Sequence, residues 1–152
     1  MNQRLDHQAL APDGMRALGG VYGYVSMKSG LPHELVNLVY LRVSQINGCA
    51  YCISSHSKDL LEAGVPKNKL LMLTAWREAP AMYDQKERAA LGWAESVTLI
   101  AHTRVPDAEY EAAIAQFTQK ELVDLTLAIA LINAYNRMAI SFRRTPEELL
   151  VG

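Results

Sequence analysis

Cysteine is scarce in this chain: two residues in 152, Cys49 and Cys52. That excludes a small scaffold stapled by several disulfides. Charge of one sign is also lacking. Fifteen basic residues face sixteen acidic ones, for a net charge of −1. No basic stripe offers a nucleic-acid surface, and no acidic tail appears. No apolar run is long enough for a membrane span, which needs about 20 residues. The longest, Leu125 to Ile132, is flanked by Asp124 on one side and by Asn133, Asn136 and Arg137 on the other. It is expected to be a buried helix. The first seven residues, Met-Asn-Gln-Arg-Leu-Asp-His, hold no apolar stretch of the secretory kind, so a cytoplasmic protein is expected. Signals for β-hairpins, βαβ alternation, repeats and low-complexity linkers are missing as well. Half of the residues are hydrophobic, enough for one domain over residues 1–152 with a sizeable core.

What remains reads as helix. The expected fold is all-α, a single-domain bundle of about six to seven helices. Pro12-Asp13-Gly14 opens the first, to about Lys28. Its Gly19, Gly20 and Gly23 weaken it and would let another backbone come close. Pro32 suits the first turn of the second, which carries Leu35, Leu38, Val39, Val43 and Ile46 at helical spacing. Val36 and Leu41 fall off that stripe, so more than one face is covered. Asn47-Gly48 breaks this helix, and a third starts near Cys49 and stops at Ala63-Gly64. A fourth covers Lys67 to Trp76. Asp84-Gln85-Lys86-Glu87 and Thr118-Gln119-Lys120-Glu121 are capping boxes. They open a fifth helix, to about His102, and a long last one through Phe142. Val105-Pro106-Asp107 starts a helix between them, and the tail from Thr145 through Glu148 is expected to fray.

The two cysteines form Cys-Ala-Tyr-Cys at the start of a central helix, with His56 four residues beyond. On a helix, residues three and four apart share a face. Two thiols and an imidazole there supply a nucleophile, a sulfur to trap its oxidised form, and a base. In a reducing compartment such a pair is more often catalytic or metal-binding than structural. Which sulfur attacks is open at this level. The helix dipole favours a thiolate at Cys49, and an imidazolium at His56 would favour one at Cys52. Zinc is the competing use, but His7, His33 and His102 stand in no ligand-like spacing to supply a fourth ligand, and no metal is expected. Asn133, Asn136 and Arg137 are read as buried polar groups serving structure. Trp76 and Trp93 are read as core, His102 as surface, and Arg42 as half of a salt bridge.

The stretch Leu38 to His56, with Ser-Gln-Ile-Asn-Gly ahead of the cysteines, resembles the core motif of the alkyl hydroperoxidase D-like family, within the carboxymuconolactone decarboxylase superfamily. Glu87 to Glu95 and Asn133 to Arg137 also look like its single-domain members, so the resemblance covers about residues 31–144. It implies an all-helical fold, assembly into trimers or hexamers, and reduction of hydroperoxides through the cysteine pair. By position it makes Cys52 the peroxidatic cysteine, Cys49 the resolving one, and His56 part of a proton relay. Decarboxylases of the superfamily lack the cysteine pair, which moves this chain to the redox branch.

Two positions depart from the family pattern. Where its peroxidases carry a relay glutamate, twelve residues before the first cysteine, this chain has Asn37. An amide can orient an imidazole or a water but cannot take a proton at neutral pH. Where they have a histidine, this chain has Tyr51. Glu34 and Glu87 are candidates to replace the missing carboxylate, although Glu87 also has its capping role.

The expected function is therefore a thiol peroxidase needing no bound cofactor. Its substrate is a small hydroperoxide, and an external dithiol or protein reductant restores the pair. A redox sensor or disulfide reductase, and a non-catalytic oligomeric scaffold, are the alternatives. Oligomerisation, as a homotrimer or homohexamer, is expected because the last helix is apolar nearly all round.

Overall fold

A computed structural model describes residues 2–146. Among them are nine α-helices and two short 3-10 segments, with no strand. The helices are α1 His7–Leu10, α2 Pro12–Met27, α3 His33–Asn47, α4 Ala50–Glu62, α5 Lys67–Met72, α6 Gln85–Thr98, α7 Ile100–Thr103, α8 Asp107–Ile114 and α9 Gln119–Ser141. The seven expected helices are all present. The additions are α1, held by its Asp6 cap, and a break at Leu99 that sets α7 apart from α6. The expected fourth helix is α only through Met72. It continues as a 3-10 turn, kinked at Ala75, to Glu78. Both capping boxes form as expected. Thr145 and Pro146 have no regular structure, and Glu147 and Glu148 lie outside the described residues.

Helix α3 is the post around which the others stand. Every residue from Leu35 to Leu41 is buried, and so are Val43 and Ser44. Helices α4, α6 and α9 pack against it. Leu38 and Leu41 face a cluster with Leu60, Leu70, Leu73, Trp76 and Leu91. Val36, Val39, Tyr40 and Val43 face a larger one built on α9, with Leu125, Ile129 and Ile132. This is why the α3 sequence exceeds one apolar stripe.

The glycines of α2 do not serve close packing in this chain. A Cβ on Gly19 or Gly20 would meet nothing within 4 Å, and one on Gly23 only the flexible end of Met27. Gly19 and Gly20 lie on the exposed side of α2, which packs through Leu18, Val21, Tyr24 and Val25 instead.

Arg42, the charged residue of the buried post, is paired as expected. Its guanidinium donates to Glu95 on α6 at 2.8 Å, and the Trp76 indole N–H donates to the same oxygen at 2.8 Å. Arg77 pairs with the other oxygen. Burial works to raise the Glu95 pKa, but the bonds from Trp76, Arg77 and Arg42 outweigh it and hold the carboxyl below its ordinary value. Removing the carboxylate strands a buried cation. Glu95→Ala is expected to cost about 3 kcal/mol in urea unfolding. Asp13→Ala, which breaks the exposed Arg16–Asp13 pair, should cost less than about 0.5 kcal/mol.

Candidate active site

Gly48 carries α3 into α4. With φ at 71° it takes the left-handed conformation that glycine adopts without strain, and it caps α3. The chain reverses there, so α4 runs back along α3. Cys49 is the N-cap of α4, and Cys52 sits in its first turn. Both are reduced and buried, at 1% and 5% exposure, with sulfurs 2.6 Å apart. Cys52 lines a cavity whose wall does not include Cys49. That cavity, about 320 Å³, is walled by Tyr51, Ser55, His56 and Asp59 of α4, by Ile132, Tyr135 and Ala139 of α9, by His7, Gln8, Met15 and Tyr22 of the N-terminal helices, and by Arg144.

The pair divides charge from access. Cys49 is the better anion. Its pKa is held down at about 7, first by the hydrogen bond from the Cys52 thiol. Burial opposes this, while the backbone N–H of Cys52, the Asn136 amide and the backbone N–H of Tyr51 add to it. The helix terminus thus contributes, as expected, but the neighbouring thiol contributes more. Cys52 keeps its proton: donation to Cys49, burial and the nearby Cys49 charge all raise its pKa, with Asn136 and Arg144 opposing. The proton between the sulfurs decides which of them is the nucleophile at any instant.

His56 does not act as the imidazolium expected beside Cys52. Burial pushes its pKa down to about 4. Its bonded partner is Asn37, not a sulfur: Nδ1 lies 3.1 Å from Asn37 Oδ1. The Asn37 amide is oriented by its other bond, since Nδ2 donates to the His33 carbonyl at 3.1 Å. The oxygen therefore faces the imidazole, so His56 Nδ1 carries the proton and Nε2 is left as a bare base. Tyr40 backs the ring at 5.0 Å between centroids. Asn37 thus holds the base in one tautomer without exchanging a proton itself.

The two candidate carboxylates are elsewhere. Glu34 is exposed and, with Glu87, lines a separate hollow near Asp84. Glu87 accepts from Asp84 N–H in the capping box and pairs with Lys69 at 2.5 Å. Neither lines the thiol cavity: Glu34 is exposed in the first turn of α3, at the end opposite the cysteine turn, and Glu87 is tied down by its cap and its lysine. Tyr51 does border the cavity, with the Arg144 guanidinium 4.0 Å over its ring. Among the described residues, no three His, Cys, Asp or Glu side chains are grouped to hold a metal ion.

Sequence reasoning passed over several residues here. Behind the thiols, Asn136 is fully buried, accepts from Asn47 at 2.9 Å and donates to Ser44 at 3.1 Å. Asn133 accepts from the same Asn47 amide at 3.0 Å. The structural reading of these asparagines holds, and Asn136 also bears on both sulfurs. Two asparagines in an apolar helix were the available signal. Arg144 and His7 carried none, since nothing local tells that either chain end folds over the cavity.

The chain is an all-helical bundle that brings a buried cysteine pair and a neutral imidazole to one cavity. The chain belongs to the carboxymuconolactone decarboxylase family, whose model matches residues 12–96. It is 36% identical over 141 residues to the uncharacterized protein YdfG of Bacillus subtilis, covering 93% of this chain and 95% of that one. A crystal structure from Agrobacterium tumefaciens, of a protein of unknown function proposed to be the antioxidant defence protein AhpD, superposes with a TM-score of 0.92 at 37% identity. It covers 97% of this chain and all of that one. The debrominase Bmp8, in complex with 2,3,4-tribromopyrrole, shares the fold at a TM-score of 0.81 and 22% identity, over 92% of this chain and 74% of its own. No helix among the described residues is long and apolar enough to cross a membrane.

The depressed His56 pKa has a consequence for stability. The unfolded chain binds a proton there below about pH 6.5, and the folded chain resists it down to about 4. Stability contributed by this group is full above pH 6.5 and is lost as pH falls toward 4, by about 3 kcal/mol. In His56→Gln, urea unfolding should show a flatter pH dependence across that window than the unaltered protein.

Proposed function

We propose that this protein is a thiol-dependent peroxidase that reduces organic hydroperoxides through Cys49 and Cys52. The observation that carries the reading is the joint position of Cys52 and the His56 base on one cavity, with the Cys49 sulfur 2.6 Å behind. The proton of Cys52 passes to Cys49 or to the bare Nε2 of His56, and the Cys52 sulfur attacks the peroxide. An S–O bond forms, the O–O bond breaks, and the alcohol leaves with the transferred proton. The Cys49 thiolate then attacks the Cys52 sulfenic acid, forming the S–S bond as the S–O bond breaks, and the displaced hydroxide takes a proton from solvent to leave as water. An external dithiol or protein reductant returns two electrons and two protons. No step calls for a bound cofactor.

Peroxide consumption by the reduced protein tests this. Cys52→Ser should abolish it. Cys49→Ser should allow one turnover and leave a sulfenic acid that dimedone traps. Activity and iodoacetamide alkylation should both rise with pH through about 7, the value at which the pair loses its first proton. A midpoint near an ordinary thiol pKa, about 8.5, would reject the shared-proton pair. Alkylation without peroxide turnover would favour the sensor or disulfide reductase.

Assembly belongs to the same reading. The polar residues Asp124 and Asn133 of α9 turn inward, while Val123 and Leu127, one turn apart on the same face, stand exposed at 61% and 41%. A face of that kind favours burial against another copy. Light scattering should give a mass several times 16.8 kDa, three or six chains, and Leu127→Asp should lower it.

A further inference from the structure

His7 belongs to the thiol cavity, although it lies 45 residues from Cys52 and before the stretch that the family model matches. The N-terminal strand of chain is pinned across the end of α9. The Arg4 N–H donates to the Phe142 carbonyl at 2.9 Å, and the Arg4 guanidinium donates to the Ser141 carbonyl at 3.1 Å. Asp6 caps α1 through the N–H groups of Gln8 and Ala9, and the His7 ring stacks on Phe142 at 5.6 Å. The ring is buried at 6% exposure, and its Nδ1 is sealed with no partner among the described residues.

A sealed, unpartnered N–H is the rarer and costlier arrangement, while a sealed lone pair is better tolerated. The proton of neutral His7 therefore belongs on Nε2, the nitrogen through which the ring can act. His56 is in the opposite state, with its proton on Nδ1 toward Asn37 and its Nε2 bare. One cavity is thus lined by an acceptor imidazole on α4 and a donor imidazole on α1, together with Cys52.

The geometry points to His7 as the hydrogen-bond donor to the leaving oxygen of the hydroperoxide. This rests on the peroxidase reading. In this assignment the terminal O–H of a hydroperoxide R–O–O–H donates to His56 Nε2, and its inner oxygen accepts from His7 Nε2–H. As Cys52 takes the terminal oxygen, the O–O electron pair collects on the inner oxygen. The His7 N–H stabilises that oxygen until the proton given up by the Cys52 thiol reaches it. The products are the Cys52 sulfenic acid and the alcohol, and His7 ends as it began.

The test uses the full-length reduced protein with two oxidants. Cumene hydroperoxide leaves as a basic alkoxide and needs a donor, whereas peracetic acid leaves as acetate and needs none. His7→Phe keeps the ring stacked on Phe142 but removes the N–H. It should lower kcat/KM for cumene hydroperoxide by about 100-fold while leaving peracetic acid within a few-fold. Iodoacetamide alkylation of Cys52 should be unchanged, and His7→Gln, which keeps an N–H donor, should recover part of the loss. Equal losses on both oxidants, or slowed alkylation, would make His7 structural and overturn the donor role. A wild-type protein that alkylates normally yet consumes neither oxidant would instead reject the peroxidase reading, and the donor role with it. Long-range proton–nitrogen NMR of the histidine rings gives a check independent of turnover. It should show His7 protonated at Nε2 and His56 at Nδ1, and a proton on His7 Nδ1 would overturn the proposal.

Discussion

Helix α3 has no solvent face over most of its length, and the rest of the molecule is arranged to satisfy that. An unpaired polar group on such a helix costs more than a made hydrogen bond returns. Three polar side chains of α3 find partners on three different neighbours, while the Tyr40 hydroxyl and Gln45 Oε1 have none among the described residues. Arg42 takes Glu95 of α6, Ser44 takes Asn136 of α9, and Asn37 takes His56 of α4. These pairings fix the three surrounding helices against one post. They also deliver the imidazole, the asparagine network and the cysteine turn to one end of the cavity.

The same burial governs the chemistry. It drives the proton off His56, while at the thiols the hydrogen bond between them comes first, keeping the proton on Cys52 and the charge at Cys49, away from the cavity. Charge and access are separated by 2.6 Å and one proton. A nucleophile kept protonated until a proton moves along that path is shielded from indiscriminate oxidation, and it is ready when a substrate occupies the wall beside it. Asn37 serves this arrangement differently from a carboxylate. A glutamate at that position would exchange protons with the imidazole. The amide only fixes which nitrogen is bare, leaving the sulfur pair itself as the proton reservoir.

Much of this was legible in the sequence. Helix starts were marked by Pro32, Asp84 and Thr118, stops by Gly48 and Gly64, and the meeting of the two thiols and an imidazole by the spacing of Cys49, Cys52 and His56. Those features are local: caps, φ preferences and i,i+3 spacing act within a few residues, and the motif carried the family with it. The inward turn of Asn133 and Asn136 was foreshadowed by the apolar helix that bears them.

The rest depended on which distant residues meet. Glu34 and Glu87 looked available in sequence, yet one faces outward and the other is tied to Lys69. The charge state of His56 could not be read from its spacing to Cys52, because burial by Tyr40 and the bond to Asn37 come from the neighbouring helix. His7 and Arg144 line the thiol cavity only because the segments that carry them come together at the end of α9, where Arg4 bonds to Ser141 and Phe142. Sequence by itself determined the helices, the pairing of the cysteines on one turn and the family, since short-range backbone preferences and fixed spacings act there. Tertiary structure alone decided which nitrogen is a base, which sulfur is charged and which residues wall the cavity, because desolvation and hydrogen-bond partnership are set by neighbours far along the chain.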